Sequence, residues 1–165
     1  MSVTLENLIE SLRNELKQYG EMLALLEHQQ ELVMEQRTDD ILHSISAIDI
    51  QSAAIQAARA NRQLAQRNLA ERLEQPREST FGHLIPLISQ PYRPLVTALV
   101  QENNELLLGV RERAQQSHQL LTRSLEKMQR LITNLPSHET NVLSKREQGC
   151  ATVIEPGSRL YEAIV

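Results

Sequence analysis

Residues 4–36 read TLENLIESLRNELKQYGEMLALLEHQQELVMEQ, and the spacing of apolar side chains in that stretch decides the fold. Leu5, Ile9, Leu12, Leu16, Tyr19, Leu23, Leu26 and Val33 follow the alternating four–three spacing of a coiled-coil seam, with only Gln30 polar in the row. Leu8, Met22, Leu25 and Leu32 widen the row beyond the seam of a two-stranded coil, which predicts a bundle helix. Ser2 or Thr4 is placed to cap its start. Gly20 costs up to about 1 kcal/mol in a helix interior, too little to end so strong a pattern. At full length this helix would run roughly 50 Å.

Moving outward, Arg37-Thr38-Asp39-Asp40 breaks the row. Thr38 or Asp39 is a natural N-cap, and Asp40 suits the positive end of a helix dipole. A second helix is expected over 39–75, stopped by Pro76, with Ile41, Ile45, Ile48, Ile55, Ala58, Ala65, Leu69 and Leu73 as its stripe. Its middle, rich in Ala, Gln and Arg, makes that stripe weaker than the first. The short link between two long helices predicts an antiparallel hairpin. Residues 76–92 hold Pro76, Pro86 and Pro91 around Thr80-Phe81-Gly82-His83-Leu84-Ile85, room for one or two helical turns. A third long helix is expected over 93–135, with Pro94 tolerable in its first turn. Its seam is Leu99, Leu106, Val110, Ala114, Ser117, Leu121, Leu125, Met128, Ile132 and Leu135; Asn103-Asn104 interrupts it and Pro136 ends it. The expected fold is all-α: an antiparallel bundle of three long helices over 1–136, with a short helical crossover, followed by an irregular C-terminal tail over 137–165.

Composition agrees with helices. The 165 residues are 41% hydrophobic but only 2% aromatic, so the apolar share is aliphatic, with little of the aromatic content that sheets favour. A net charge of −4 and the absence of a basic domain argue against nucleic-acid capture. The single cysteine, Cys150, has no internal disulfide partner, which fits a reducing compartment. The opening residues do not read as a signal peptide, and no apolar run approaches the ~20 residues of a membrane span. A cytoplasmic protein without stable membrane insertion is expected.

The residues that carry chemistry elsewhere are sparse here. Di-iron bundles need two Glu-x-x-His motifs with further inward carboxylates, and the nearest match is one Asp40-x-x-His43 at a helix start. Glu27-His28 and Glu139 have the wrong spacing, so no metal or other cofactor is expected. Cys150 and His138 lie in the tail with no helical frame to hold a base and an oxyanion site. Phosphate-cradling glycine loops are absent. An enzyme is not expected. The series Arg59, Arg62, Arg67, Arg72, Arg77 reads as a solvated helix face, because Glu71, Glu74 and Glu78 are interleaved with it.

What remains is surplus apolar surface. After Ser117 the third helix carries Leu120, Leu121, Leu125, Met128, Leu131, Ile132 and Leu135, a band wider than one seam. Two helices of similar length do not cover both sides of it. Such a surplus is either a contact between copies, as in a coiled-coil assembly protein, or a groove for an amphipathic partner helix. The tail adds Leu160-Tyr161 and Ile164-Val165, apolar side chains without an obvious place in the bundle.

The order of these features resembles FlgN-type flagellar export chaperones. The resemblance runs from the Leu-rich opening helix, with Leu25-Leu26-Glu27 and Glu31, through Arg37-Thr38-Asp39-Asp40 to Ile41, Ile45 and Ile48. It continues over Arg59 and Arg62 to Glu102-Asn103-Asn104-Glu105-Leu106-Leu107-Leu108. The resemblance implies a hairpin-like helical protein whose C-terminal part binds the amphipathic C-terminal helices of hook–filament junction proteins. It further implies delivery of those clients to the flagellar type III export gate, with the export ATPase as a second contact. A tyrosine in the C-terminal region is associated with that docking, and Tyr161, beside Leu160, is the tyrosine here that corresponds. The glycine expected after such a tyrosine is absent from Ala163-Ile164-Val165.

Overall fold

Residues 2–134 are described by the structure, a computed structural model. Along them lie α1 (Ser2–Met34), α2 (Thr38–Arg72), α3 (Phe81–Leu84), a 3₁₀ turn (Ile85–Leu87) and α4 (Arg93–Thr133). No strand occurs among the described residues. The chain is thus all-α, with three long helices and, in α3 and the 3₁₀ turn, the short helical crossover.

α1 is the central helix, packed along both α2 and α4. Cross-bonds give the directions. Gln29 meets Ser44, Gln18 meets Gln51 and Glu15 meets Arg62, so α1 and α2 are antiparallel. Leu12 meets Asn103, Gln30 meets Arg113 and Gln29 meets Ser117, so α4 returns parallel to α1.

The buried line of α1 passes through Leu5, Leu8, Leu12, Glu15, Tyr19, Met22, Leu26 and Gln29. Leu5, Leu12, Tyr19 and Leu26 belong to the expected row, whose Ile9 is buried as well, Leu8 and Met22 to the residues expected to widen it, and Glu15 and Gln29 to neither. Leu16 and Leu23 are half-buried, and Leu23 faces α4, where a Cβ on Gly109 would lie 3.8 Å from Leu23 Cδ1. A helix wedged between two others buries a broad face. The centre of that face is set by both neighbours, and here it takes in two polar residues.

Both long-helix ends come earlier than expected, and for the same reason. Gln36 has φ 58°, and the Arg37 N–H reaches back to the Leu32 carbonyl at 3.1 Å. Glu74 has φ 55°, and the Gln75 N–H reaches the Ala70 carbonyl at 2.9 Å. These left-handed closures satisfy the orphan carbonyls of α1 and α2 and stop each helix. The cap expected from Thr38 or Asp39 is not made. Arg37 holds the capping position without a side-chain bond, Thr38 is already helical, and Arg37 Nη2 pairs with Asp40 at 2.6 Å. Thr4 likewise lies buried inside α1 rather than ahead of it.

Between α2 and α4 the chain crosses over the lower end of the bundle. Phe81, Leu84 and Ile88 are buried there. Gln66 Nε2 donates to the Ser79 carbonyl at 2.9 Å and Arg93 Nε to the Ile88 carbonyl at 2.7 Å, so both ends of the crossover are tied down.

Candidate functional site

α4 changes character along its length. In its lower part Val96, Leu99, Asn103, Leu107 and Val110 are buried. Leu106, expected in the seam, is half-buried, and Leu107 takes the inner place. Asn103 does not interrupt this face. It is fully buried and its Nδ2 donates to the carbonyls of Leu12 (3.0 Å) and Leu99 (2.8 Å), tying α4 to α1.

Ser117 is the last buried residue of α4. Its hydroxyl donates to Gln29 Oε1, while Gln29 Nε2 donates to Ser44 Oγ at 3.0 Å. One glutamine therefore joins all three long helices. Below it, Arg113 on α4 reaches Glu27 at 3.4 Å and Gln30 at 3.3 Å on α1.

This register fixes where support for α4 ends. Gln29 is level with Ser117, so Met34, five residues later, is level with Thr122. From Arg123 to Thr133 α4 extends past the α1–α2 hairpin by roughly 16 Å. Leu120 and Leu121 lie at the hairpin's end and are half-buried, as is Ile132. Leu125, Met128 and Leu131 are 55%, 38% and 68% exposed. The surplus band is thus a ledge that continues the inner face of α4 beyond the hairpin. Leu135, Leu160 and Tyr161, and with them Cys150 and His138, lie outside the described residues.

Arg123, Lys127 and Arg130 recur one turn apart and are exposed, forming one edge beside Leu120 and Leu131. The opposite edge, His118, Thr122, Gln129 and Thr133, carries no Lys, Arg, Asp or Glu. The sequence reading missed this asymmetry, which shows only when the basic residues are placed at the helical period.

A second missed cluster lies in the lower body. Glu15 is fully buried; its Oε1 accepts from the Tyr19 hydroxyl at 2.7 Å and its Oε2 from Arg62 Nε at 2.9 Å. Arg62 also donates to Gln66 Oε1 at 2.9 Å and lies 5.9 Å from the centre of the Phe81 ring. Burial, with the Glu15 charge beside it, pushes the Tyr19 phenol well above its usual range, while Arg59 and Arg62 partly counter this. Arg59 and Arg62 are both buried, which corrects the reading of the arginine series as one solvated face; that reading holds for Arg67, Arg72 and Arg77. This cluster is closed to solvent and ties α1, α2 and the crossover together.

Elsewhere, a shallow groove of about 630 Å³ between α1 and α2 is lined mainly by polar side chains, Asn7, Asn14, Asn61 and Asn68 among them. No group of three or more His, Cys, Asp or Glu that could hold a metal occurs among the described residues. Nor is any described helix long and apolar enough to cross a membrane.

The family model described as FlgN protein matches residues 1–145, which takes in all three long helices and the ledge. The chain belongs to the FlgN family. That makes it a member of a family of flagellar export chaperones, which bind flagellar proteins. Searches of curated proteins and of solved structures return no match. Among the described surfaces of this FlgN chain, the α4 ledge has the chemistry that binding of an apolar helix requires. Leu125 and Leu131 stand in solvent on the part of the helix that the hairpin no longer covers.

Proposed function

We propose that this FlgN protein escorts hook–filament junction proteins by seating their amphipathic C-terminal helices on the α4 ledge. Leu120, Leu121, Leu125, Met128, Leu131, Ile132 and Leu135 form the client surface, on a bundle body of residues 1–136. The tail, 137–165, carries Leu160 and Tyr161 for docking on the export gate, with the export ATPase as a further contact at the cytoplasmic face. The observation that carries this reading is an apolar band running past the end of its own hairpin, with Leu125 and Leu131 more than half exposed and Met128 partly so.

The physics suits a reversible escort. A client strip covering the ledge gains ~25 cal/mol for each Å² of apolar surface removed from water. Ordering the client offsets part of that gain, leaving moderate affinity for a partner that must later be released. The flexible Met128 side chain adapts to more than one client strip.

A paired change, Leu125→Asp with Ile132→Asp, should abolish client capture while circular dichroism stays helical, since neither residue belongs to the packed core or to the side chains lying against it. Client capture surviving that change would sink the ledge as the binding surface. The alternative role, a coiled-coil assembly protein whose ledge pairs with a second copy, requires a stable oligomer in sedimentation that a client peptide does not disperse.

A further inference from the structure

We infer that the helix seated on the ledge carries a row of carboxylates along one side of its apolar strip, placed against Arg123, Lys127 and Arg130. This rests on the ledge being the client surface and specifies which helices it accepts.

Charge is the first observation. The chain as a whole is at −4, yet the segment of α4 beyond the hairpin carries Arg123, Lys127 and Arg130 against Glu126 alone. Among the described residues none of these three cations meets a carboxylate of the chain itself. In the body, Lys17, Arg37, Arg62, Arg77 and Arg113 each meet one, while Arg13, Arg67, Arg72 and Arg93 meet none among the described residues, so what sets the ledge cations apart is their alignment in one row. They are exposed and spaced at i, i+4 and i+7, so they form one continuous edge, not a scattered surface.

The second observation is the asymmetry of the band. Its other edge has no charged lysine, arginine or carboxylate, and Glu126 falls on the back of the helix. A partner with charges of either sign on both sides would leave one set facing neutral groups. A partner with one acidic edge fits in a single rotational setting.

Helix stabilisation accounts for only part of this edge. Cations near a helix C-terminus interact favourably with its dipole, but that effect falls off within the last turn. Arg130 lies in that turn; Lys127 and Arg123 lie before it. Moreover, the overall negative charge works against an acidic partner at long range. Preference for one can arise only from these local cations.

The test uses the full chain and three synthetic amphipathic helical peptides sharing one leucine strip and differing only in one edge: Glu, Gln or Lys. At low salt the Glu-edged peptide should bind about tenfold tighter than the Lys-edged one, and the gap should close at about 0.5 M salt, where screening is short-ranged. The triple change R123E/K127E/R130E should invert the order with helicity intact. The milder R123Q/K127Q/R130Q should erase the order, and it serves as the test if the reversal costs helix. Equal binding of Glu- and Lys-edged peptides, with L125D/I132D abolishing both, would overturn the acidic edge and leave the ledge standing. Peptide binding indifferent to L125D/I132D would overturn the ledge itself. A dimer that no peptide disperses would make a second copy the occupant and overturn the inference.

Discussion

Replacing Arg62 with Met tests the lower body at the point where it departs most from an aliphatic bundle. Met retains most of the length and apolar volume of the arginine stem but removes its charge and donors. Glu15 would then keep the hydrogen bond from Tyr19 and lose its ion pair with Arg62 in a site with no solvent access. Stranding one member of a buried ion pair costs about 3–5 kcal/mol. The Gln66 Oε1 contact and the face of Phe81, 5.9 Å from the guanidinium, are lost as well. Exposed pairs of the same chain set the contrast: Lys17–Glu21, at 3.7 Å and largely in solvent, belongs to a class worth about 0–1 kcal/mol. Against a total stability of about 5–15 kcal/mol, an Arg62→Met loss near 4 kcal/mol is a large fraction. With a urea m-value of about 2 kcal/mol per M, the midpoint should fall by about 2 M, followed by far-UV circular dichroism. The second arm, Glu15→Leu with Arg62→Met, removes the stranded charge and should recover to within about 1 kcal/mol of the parent. A single-variant loss under about 1 kcal/mol would refute burial of the pair. A double variant no better than the single one would refute stranded charge as the cause.

Two left-handed residues and one phenol give the remaining tests. Gln36→Gly and Glu74→Gly should each stabilise the chain by about 0.5–1 kcal/mol, because glycine adopts positive φ without a Cβ clash; a lower melting temperature in both would argue against the two closures. Tyr19→Phe should cost about 1.5–3 kcal/mol near neutral pH, the worth of a buried hydrogen bond to a charged group. Because burial and Glu15 raise the folded phenol above its unfolded pKa of about 10, the parent's stability is whole below that pH. It is lost as pH rises further, by up to about 1.4 kcal/mol per pH unit. Tyr19→Phe lacks this loss, so the gap between the two proteins should narrow above about pH 10. A constant gap there would refute the raised phenol.

The three long helices were legible because each carries its own heptad row, a local property of the chain. The short crossover was legible from its prolines. The polar centre of the bundle was not. Counting apolar residues prefers Leu16 and Leu23 to Glu15 and Gln29, yet the latter pair is buried because partners arrive from Arg62, 47 residues away, and Ser117, 88 residues away. Nothing near residue 15 announces an arginine from another helix. Asn103 is the same case, reading as a flaw in the seam until the Leu12 carbonyl, 91 residues earlier, is placed beside it. The ledge was half legible. Leu120 to Ile132 were visibly too many apolar residues for one seam, but where cover ends depends on the register between α4 and α1.

That register links the polar residues to the proposed function. A parallel pair of leucine heptads fits nearly as well after a slip of seven residues, a shift of about 10 Å along the axis. Aliphatic packing alone therefore leaves the height of α4 weakly specified. Asn103 on the Leu12 carbonyl and Ser117 on Gln29 mark one height, because a slip would leave each buried group without its partner. The height they mark determines how many residues of α4 stand clear of the hairpin. Sliding α4 toward its own N-terminus by one heptad would bring Leu125 and Met128 alongside α1 and leave barely one turn for a client; sliding it the other way would lift Leu120 and Leu121 out of their half-buried seat. The two polar layers thus define the length of the ledge as well as the order of the core. A chaperone built on aliphatic seams needs such layers, since the leucines that hold its body together and the leucines proposed to hold its client are chemically the same.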